Sequence, residues 1–379
     1  MRKDPFPVDT LISEEDICNL SRERKFISKE IQLGHKVLVF GKRNTGKTSL
    51  VKNVIAAQWQ KKEKKAIVFY VDLYGVKNIT QVTARVANAY SWALKRNQPL
   101  KGIGSTIVDV LKSFRPVMKI EADGTPTLSL DLDAKRPEHS LYELFSKFNN
   151  LYEKDVSILI VIDEFQEIHG IDECEGIFRD TLQNLNPNIP VIIMGSKKHL
   201  LSLMFTEPKA AFFSWGQHVE FSVIDYKEYY EYLKDRFNEV KLSLSYEDSI
   251  VIQDLMLRNP EAINRICSWI FSNPPSNKRI DSTYIHFALG ELVEGRRSAM
   301  EEYLKQFTPA EDRVMAIFAK EGGVIKQPMK KDFLKAADVS VSGMKGIVIK
   351  LENDAVLYKE KEGYVFADAL LKQHLVKFR

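Results

Sequence analysis

The chain has 379 residues, 44% of them hydrophobic and 28% charged, with a formal net charge of +4. That length exceeds one average domain and calls for two or three compact units, and the balanced composition excludes wholesale disorder. The mild positive charge permits nucleic-acid contact without arguing for it, because a dedicated binder concentrates its basic residues more strongly.

The longest strongly apolar run, Val156–Ile162, falls far short of the roughly 20 residues needed to span a bilayer, so no membrane role is expected. The N-terminal MRKDPFPVDT carries mixed charge and no apolar core, unlike a secretory signal. Cys18, Cys174 and Cys267 stand far apart with no CxxC or Cys/His spacing. Neither a disulfide framework nor a cysteine metal site is expected, and a reducing cytoplasm fits.

In chain order, residues 11–33 read as a helical lead-in, with Glu14, Glu15 and Asp16 suited to the positive end of a first turn. Lys36–Phe40 is a short apolar strand, and Gly46 to about Lys62 has helical spacing. Ala66–Leu73 is a second buried-strand run, followed by a helical pattern from Ile79 to Lys95. Val117–Leu132 alternates around Asp123-Gly124 and predicts an inserted hairpin. Ser140–Tyr152 places Leu141, Leu144, Phe145, Phe148 and Leu151 on one helical stripe. Two more buried runs, Ile158–Ile162 and Pro190–Gly195, complete a strand–helix alternation that calls for a parallel sheet covered on both faces.

From about Ser222 helical patterns dominate as far as Phe307, interrupted by a Pro/Asn/Ser-rich loop at Ser272–Lys278. After Thr308-Pro309 come three predicted helices, Glu311–Lys320, Lys331–Ala336 and Val341–Asn353. A hairpin of Ala355–Tyr358 with Tyr364–Phe366 follows, the element order of a winged helix. The expected organisation is an α/β domain with a helix-sandwiched parallel sheet over 1–221, a helical lid over 222–303 and a winged-helix domain over 304–379.

Chemistry concentrates at Gly41-Lys42-Arg43-Asn44-Thr45-Gly46-Lys47-Thr48, which satisfies G-x-x-x-x-G-K-[ST] between a strand and a helix and runs on into Ser49. The two glycines let successive backbone N–H groups curl toward phosphates, and the helix adds its positive end. Lys47 can reach the β- and γ-phosphates of a nucleotide, and the Thr48 hydroxyl can ligate Mg²⁺. A buried run then ends in Asp163-Glu164. Asp163 suits Mg²⁺ held through water, and Glu164 suits orientation and deprotonation of an attacking water. A helix cap is the plain alternative for this acidic pair. Met194-Gly195-Ser196 closes the next strand, where a hydroxyl can touch the γ-phosphate or simply form a turn.

These residues resemble the prokaryotic "archaeal ATPase" group of P-loop proteins, which stands with the STAND and AAA+-like NTPases and is related to origin-recognition and helicase-loader ATPases. The resemblance spans most of the chain. It begins at Ser21-Arg22-Glu23, similar to the group's Arg-Glu motif near adenine, and continues through GKRNTGKTSL, VIDEFQEI and IIMGSKKHLLSLMF. It extends to RNPEAINRIC, similar to the group's lid, and to the C-terminal LENDAVLYKEKEGYVFADALLKQHL. It implies ATP and Mg²⁺ as ligands, with Arg22 near the base and Arg265 as a γ-phosphate sensor. An ion pair of Arg265 with Glu261 at i, i+4 is the alternative. Two departures stand out: Gln217 replaces an arginine that reaches nucleotide in many members, and Arg258-Asn259-Pro260 lacks the lid glycine. The first implies slow hydrolysis, or an arginine supplied by a partner or by Arg265.

Over 303–379 Lys and Arg outnumber Asp and Glu, yet Val341–Asn353 has no arginine, the commonest reader of bases. Ser342, Lys345 and Lys350, with Lys359 and Lys361 on the wing, are the candidate contacts to double-stranded DNA; protein docking is the alternative. Two functions therefore stand side by side. One is an ATP-hydrolysing switch that repositions a winged helix, and the other a signalling scaffold working through protein partners and ATP-dependent self-assembly.

Overall fold

In the computed structural model, which describes residues 4–62, 65–96, 116–120, 126–130, 137–221 and 223–379, the apolar runs pair as strands. In chain order they are β1 (Lys36–Phe40), β2 (Ala66–Asp72), β3 (Pro116–Ile120), β4 (Pro126–Leu130), β5 (Ser157–Asp163), β6 (Val191–Gly195) and β7 (Gln217–Glu220). Five of them form one sheet in the order β2-β5-β6-β1-β7. Every pairing in it is parallel. The predicted hairpin is present as antiparallel β3 and β4; its expected Asp123-Gly124 turn lies outside the described residues.

Burial on both faces explains why the strands read as continuous apolar runs. On one face Val37, Val39, Leu159, Val161, Ile192 and Met194 pack with Ile27 and Ile31 of the helix Ser21–Gln32 and with Leu50, Val51, Val54 and Ile55. On the other, Leu38, Phe69, Ile158, Ile160, Ile162 and Ile193 meet the helices Ile79–Arg96 and Pro137–Tyr152. The predicted stripe of Leu141, Leu144, Phe145, Phe148 and Leu151 is fully engaged there.

Two local expectations are corrected. The lead-in is not one helix: a 3₁₀ turn at Glu14–Asp16 is separated from Ser21–Gln32 by Asn19 and Leu20, both with positive φ, where a helix cannot continue. Nor is Pro190–Gly195 the last strand of the alternation, since β7 adds to the sheet beside β1. Along β7 Val219 is buried while Gln217, His218 and Glu220 are exposed, so it carries no apolar run to read.

The described residues divide into two compact units, 13–42 with 46–221, and 4–12 with 43–45 and 223–379. The second unit is helical, and its helix starts are written in its sequence. Asp225, Ser245, Asn259, Asp281, Ser340 and Asp368 each accept backbone N–H groups of the first turn that follows. Thr308 and Glu311 form a reciprocal capping box ahead of Pro309–Lys320. A two-residue parallel pairing of β8 (Ser243–Leu244) with β9 (Arg279–Ile280) interrupts the helices. Toward the C-terminus, Lys331–Ala337 and Val341–Asn353 precede the antiparallel pair β10 (Leu357–Lys359) and β11 (Tyr364–Phe366). Ile325 bridges to Tyr364 as a third short strand position, and Ala369–Phe378 closes the chain.

Ile160, fully buried at the sheet centre, should cost about 2–5 kcal/mol on substitution by alanine. Thr308→Ala should cost only about 1 kcal/mol, because it removes a cap and not packing. Urea unfolding followed by far-UV circular dichroism measures both; equal effects would contradict this placement of the core.

Candidate nucleotide site

All five main-sheet strands run the same way, so their carboxyl ends share one edge, where ligands of open α/β sheets sit. At that edge the loop after β1 leads into helical residues Lys47–Ser49, a π-helical stretch Leu50–Ile55 and Ala56–Lys62. Gly46 has φ +88°, a left-handed conformation that glycine supplies without strain. At Gly41 an added Cβ would lie 2.9 Å from Cβ of Phe221, so backbone passes too close for a side chain.

Lys47 is buried, and its Nζ donates to the carbonyls of Gly41 at 2.8 Å and Lys42 at 2.5 Å. The ammonium thus folds over the first residues of its own loop. Beside it, Thr48 Oγ1 donates to Asp163 Oδ2 at 3.0 Å, joining the P-loop helix to the end of β5 across 115 residues of sequence. Tyr70 on β2 donates to the same oxygen at 2.6 Å, and the Glu164 N–H donates to Oδ1 at 2.9 Å. A threonine hydroxyl and a carboxylate 3.0 Å apart are hard oxygen donors, the set that Mg²⁺ accepts.

Burial raises the Asp163 carboxyl above the ordinary carboxylate range; the Tyr70 and Thr48 hydroxyls pull it back, and the neighbouring charge of Glu164 adds to the rise. Burial, then the charge of Asp163, hold the Tyr70 proton more tightly than in free tyrosine, which keeps the phenol a donor.

Glu164 adopts φ +50° and ψ +42°, a left-handed conformation that costs a non-glycine residue about 1–2 kcal/mol. It precedes the short 3₁₀ turn Phe165–Ile168 yet makes no side-chain cap, so the plain capping alternative is not what the side chain does. Its carboxylate instead accepts from Ser196 Oγ at 2.9 and 3.2 Å and from Gln166 Nε2. Gln166 is 1% exposed, and its Oε1 presses against Gly195, where any Cβ would collide with it. Lys197 pairs with Glu167 at 2.9 Å at the rim.

Lys47, Thr48 and Asp163, with Glu164 and Ser196 beside them, therefore gather at this edge, and Ser49 is buried in the helical turn that follows Lys47. Arg22 is exposed in the first turn of Ser21–Gln32, the helix preceded by Leu20, whose Cδ1 lies 3.5 Å from the point where a Cβ on Gly46 would stand. Gln217 is exposed at the start of β7. In the second unit Arg265 pairs with Glu261 and makes two bonds to Asp9, at 2.6 and 3.1 Å, so the ion-pair alternative is the arrangement adopted. Arg43–Thr45 group with that unit: Asn259 Nδ2 donates to the Arg43 carbonyl at 3.0 Å, and Asn44 Nδ2 to Glu261 Oε2 at 3.2 Å. Sequence reasoning missed Tyr70; a tyrosine inside an apolar run reads as core, and its hydroxyl two residues before Asp72 was the one signal.

Residues 27–188 match the KAP family P-loop domain. No curated protein matches the chain in sequence. Among solved structures, the Walker-type ATPase PABY2304 of Pyrococcus abyssi is similar at TM-score 0.64 and 18% identity, over 98% of this chain and 99% of that one. The ORC2 protein of Aeropyrum pernix, as ADPNP–ADP complexes, is similar at TM-score 0.55 and 14% identity, over 99% and 96%. At these identities the likeness is one of fold. The chain carries a P-loop NTPase domain.

The raised Asp163 carboxyl gives a signed expectation. A carboxyl whose folded pKa exceeds its unfolded one penalises the fold fully above the folded pKa and not at all below the unfolded one. Without metal or nucleotide, Asp163→Asn should therefore melt above the unsubstituted protein near neutral pH, with the gap closing as pH falls through the raised Asp163 pKa and gone once it is below the ordinary carboxylate range. Thermal melts across that span test it, and a gap that widens toward acid would refute it.

Proposed function

We propose that the protein is an ATP-binding switch that hydrolyses ATP in a Mg²⁺-dependent and slow reaction. One observation carries this reading: the Thr48 hydroxyl and the Asp163 carboxylate meet at 3.0 Å at the sheet edge that also holds Lys47. In this reading Gly41, Arg43, Asn44, Thr45, Gly46 and Ser49 shape the loop whose amides face the phosphates, and Arg22 lies toward the base. The Lys47 ammonium exchanges its two carbonyl partners for phosphate oxygens. Thr48 and Asp163 are the residues that would hold Mg²⁺, which when bound neutralises phosphate charge. Glu164, held by Ser196 and Gln166, is the general base for the attacking water. No arginine stands at Gln217, which supports slow turnover. The fold likeness to a Walker-type ATPase and to ORC2 in ADPNP–ADP complexes supports nucleotide binding.

The second unit is read as a helical lid over 222–303 followed by a winged helix over 304–379. Support for the latter is the order of three helices and a hairpin, with Ile325 bridged to Tyr364 as the third strand position. A second reading of the output is favoured by the surface of Val341–Asn353. Val341 and Ile349 are 58% and 48% exposed there, and Lys350 is held by both oxygens of Glu311 at 2.9 Å. Lys345 is exposed, as are Lys359 and Lys361 in and after β10. Two exposed apolar side chains, with Lys345 between them at helical spacing and Lys350 tied to Glu311, favour a protein partner or self-assembly as this second reading.

Titration calorimetry with ATP and Mg²⁺ tests the nucleotide site. Lys47→Ala should weaken binding about tenfold or more. Glu164→Gln should keep binding but lower turnover by about 10²–10⁴-fold. Equal binding by Lys47→Ala and the unsubstituted protein would refute the assignment. Sedimentation with and without ATP, and with duplex DNA, separates the outputs: salt-sensitive duplex binding weakened by Lys345→Glu would favour DNA.

A further inference from the structure

Tyr70 belongs to none of the motifs that define the nucleotide site, yet it touches the site's central carboxylate. It lies on β2 in register with Val161, two residues before the position where Asp72 faces Asp163. Its side chain therefore rises along the sheet toward the carboxyl edge, on the face that carries the P-loop helix. Its hydroxyl donates to Asp163 Oδ2 at 2.6 Å, shorter than the 3.0 Å bond from Thr48 to that oxygen. Over the ring stands Lys52, from the π-helical stretch of the P-loop helix, with Nζ 4.6 Å from the centroid. One side chain thus ties β2, β5 and the P-loop helix together.

A carboxylate that orients a metal-bound water must keep a fixed plane before the metal arrives, because a freely rotating one pays ordering entropy on binding. Groups that hydrogen-bond a metal-binding carboxylate from behind supply that fixity, and their loss commonly weakens metal binding about 10–100-fold. Asp163 is 5% exposed and its Oδ1 is satisfied by the Glu164 amide, so the free choice of orientation lies with Oδ2. Two hydroxyls, one from β2 and one from the P-loop helix, fix that oxygen, and one of them, Thr48, is itself expected to turn to the metal. We propose that Tyr70 is a positioning residue for Mg²⁺: its phenol holds the Asp163 carboxylate in the orientation that receives the metal with the nucleotide. This rests on the reading of Thr48 and Asp163 as the Mg²⁺ residues.

Tyr70→Phe tests it, since the ring, its packing and the Lys52 contact survive and only the donor is lost. Circular dichroism and a melt of the metal-free variant establish that it folds, and a fluorescent ATP analogue reports binding. In EDTA the analogue should bind the variant and the unsubstituted protein within about twofold of each other, because no phosphate contact changes. At fixed nucleotide, the Mg²⁺ concentration for half-saturation should rise about tenfold in the variant. Electron paramagnetic resonance of Mn²⁺ in the nucleotide complex should show the same weakening directly. An unchanged half-saturation, or tighter metal binding in Tyr70→Phe, overturns the proposal. Nucleotide binding by the unsubstituted protein that ignores Mg²⁺ altogether would instead overturn the reading beneath it.

Discussion

The bond from Thr48 to Asp163 is the constraint on which the rest of the site depends. It joins the helix after β1 to the end of β5, two strands that are not neighbours, since β6 lies between them. The gap is closed by register. Phe40 pairs with Gly195 and Ile162 with Ile193, so the three strands finish within about a residue of one another at one edge. Parallel order makes that coincidence possible, and burial of both sheet faces fixes it, because a slip of one residue would turn every side chain to the wrong face.

Adjacent carboxylates at the end of β5 are given different surroundings. Asp163 faces the P-loop helix and takes hydroxyl donors from Thr48 and Tyr70. Glu164 is turned the other way by its left-handed backbone and takes donors from Ser196 and Gln166. Backbone strain is thus localised at the residue read as the base, where it directs two like charges to separate partners.

How much of this could be read in the sequence follows from the range of each signal. Buried runs such as Ile158–Ile162 were legible because both faces are covered, whereas β7 was not, since only Val219 along it is buried. The loop from Gly41 to Thr48 was legible because its glycines and lysine sit at fixed offsets. The pairing of Arg265 with Glu261 was readable at i, i+4, but Asp9 lies 256 residues away and no local pattern announces it. Tyr70 escaped for the same reason: its role is set by partners brought together only by folding. The break at Asn19-Leu20 was only half legible: asparagine enters the left-handed region more readily than most residues, but leucine gives no such sign.

The posture of Lys47 has a consequence for any anion that reaches this loop. Its ammonium is not a bare charge waiting for a ligand but one already solvated by two backbone oxygens. An arriving phosphate swaps one set of oxygens for another, so the lysine's contribution is a difference between two occupied states and not a full electrostatic attraction. Binding strength must then come from the loop amides and the helix end, which only a ligand with several well-spaced oxygens can engage together. On the proposed nucleotide reading, a chain of phosphates is expected to open that internal clasp more readily than a lone small anion.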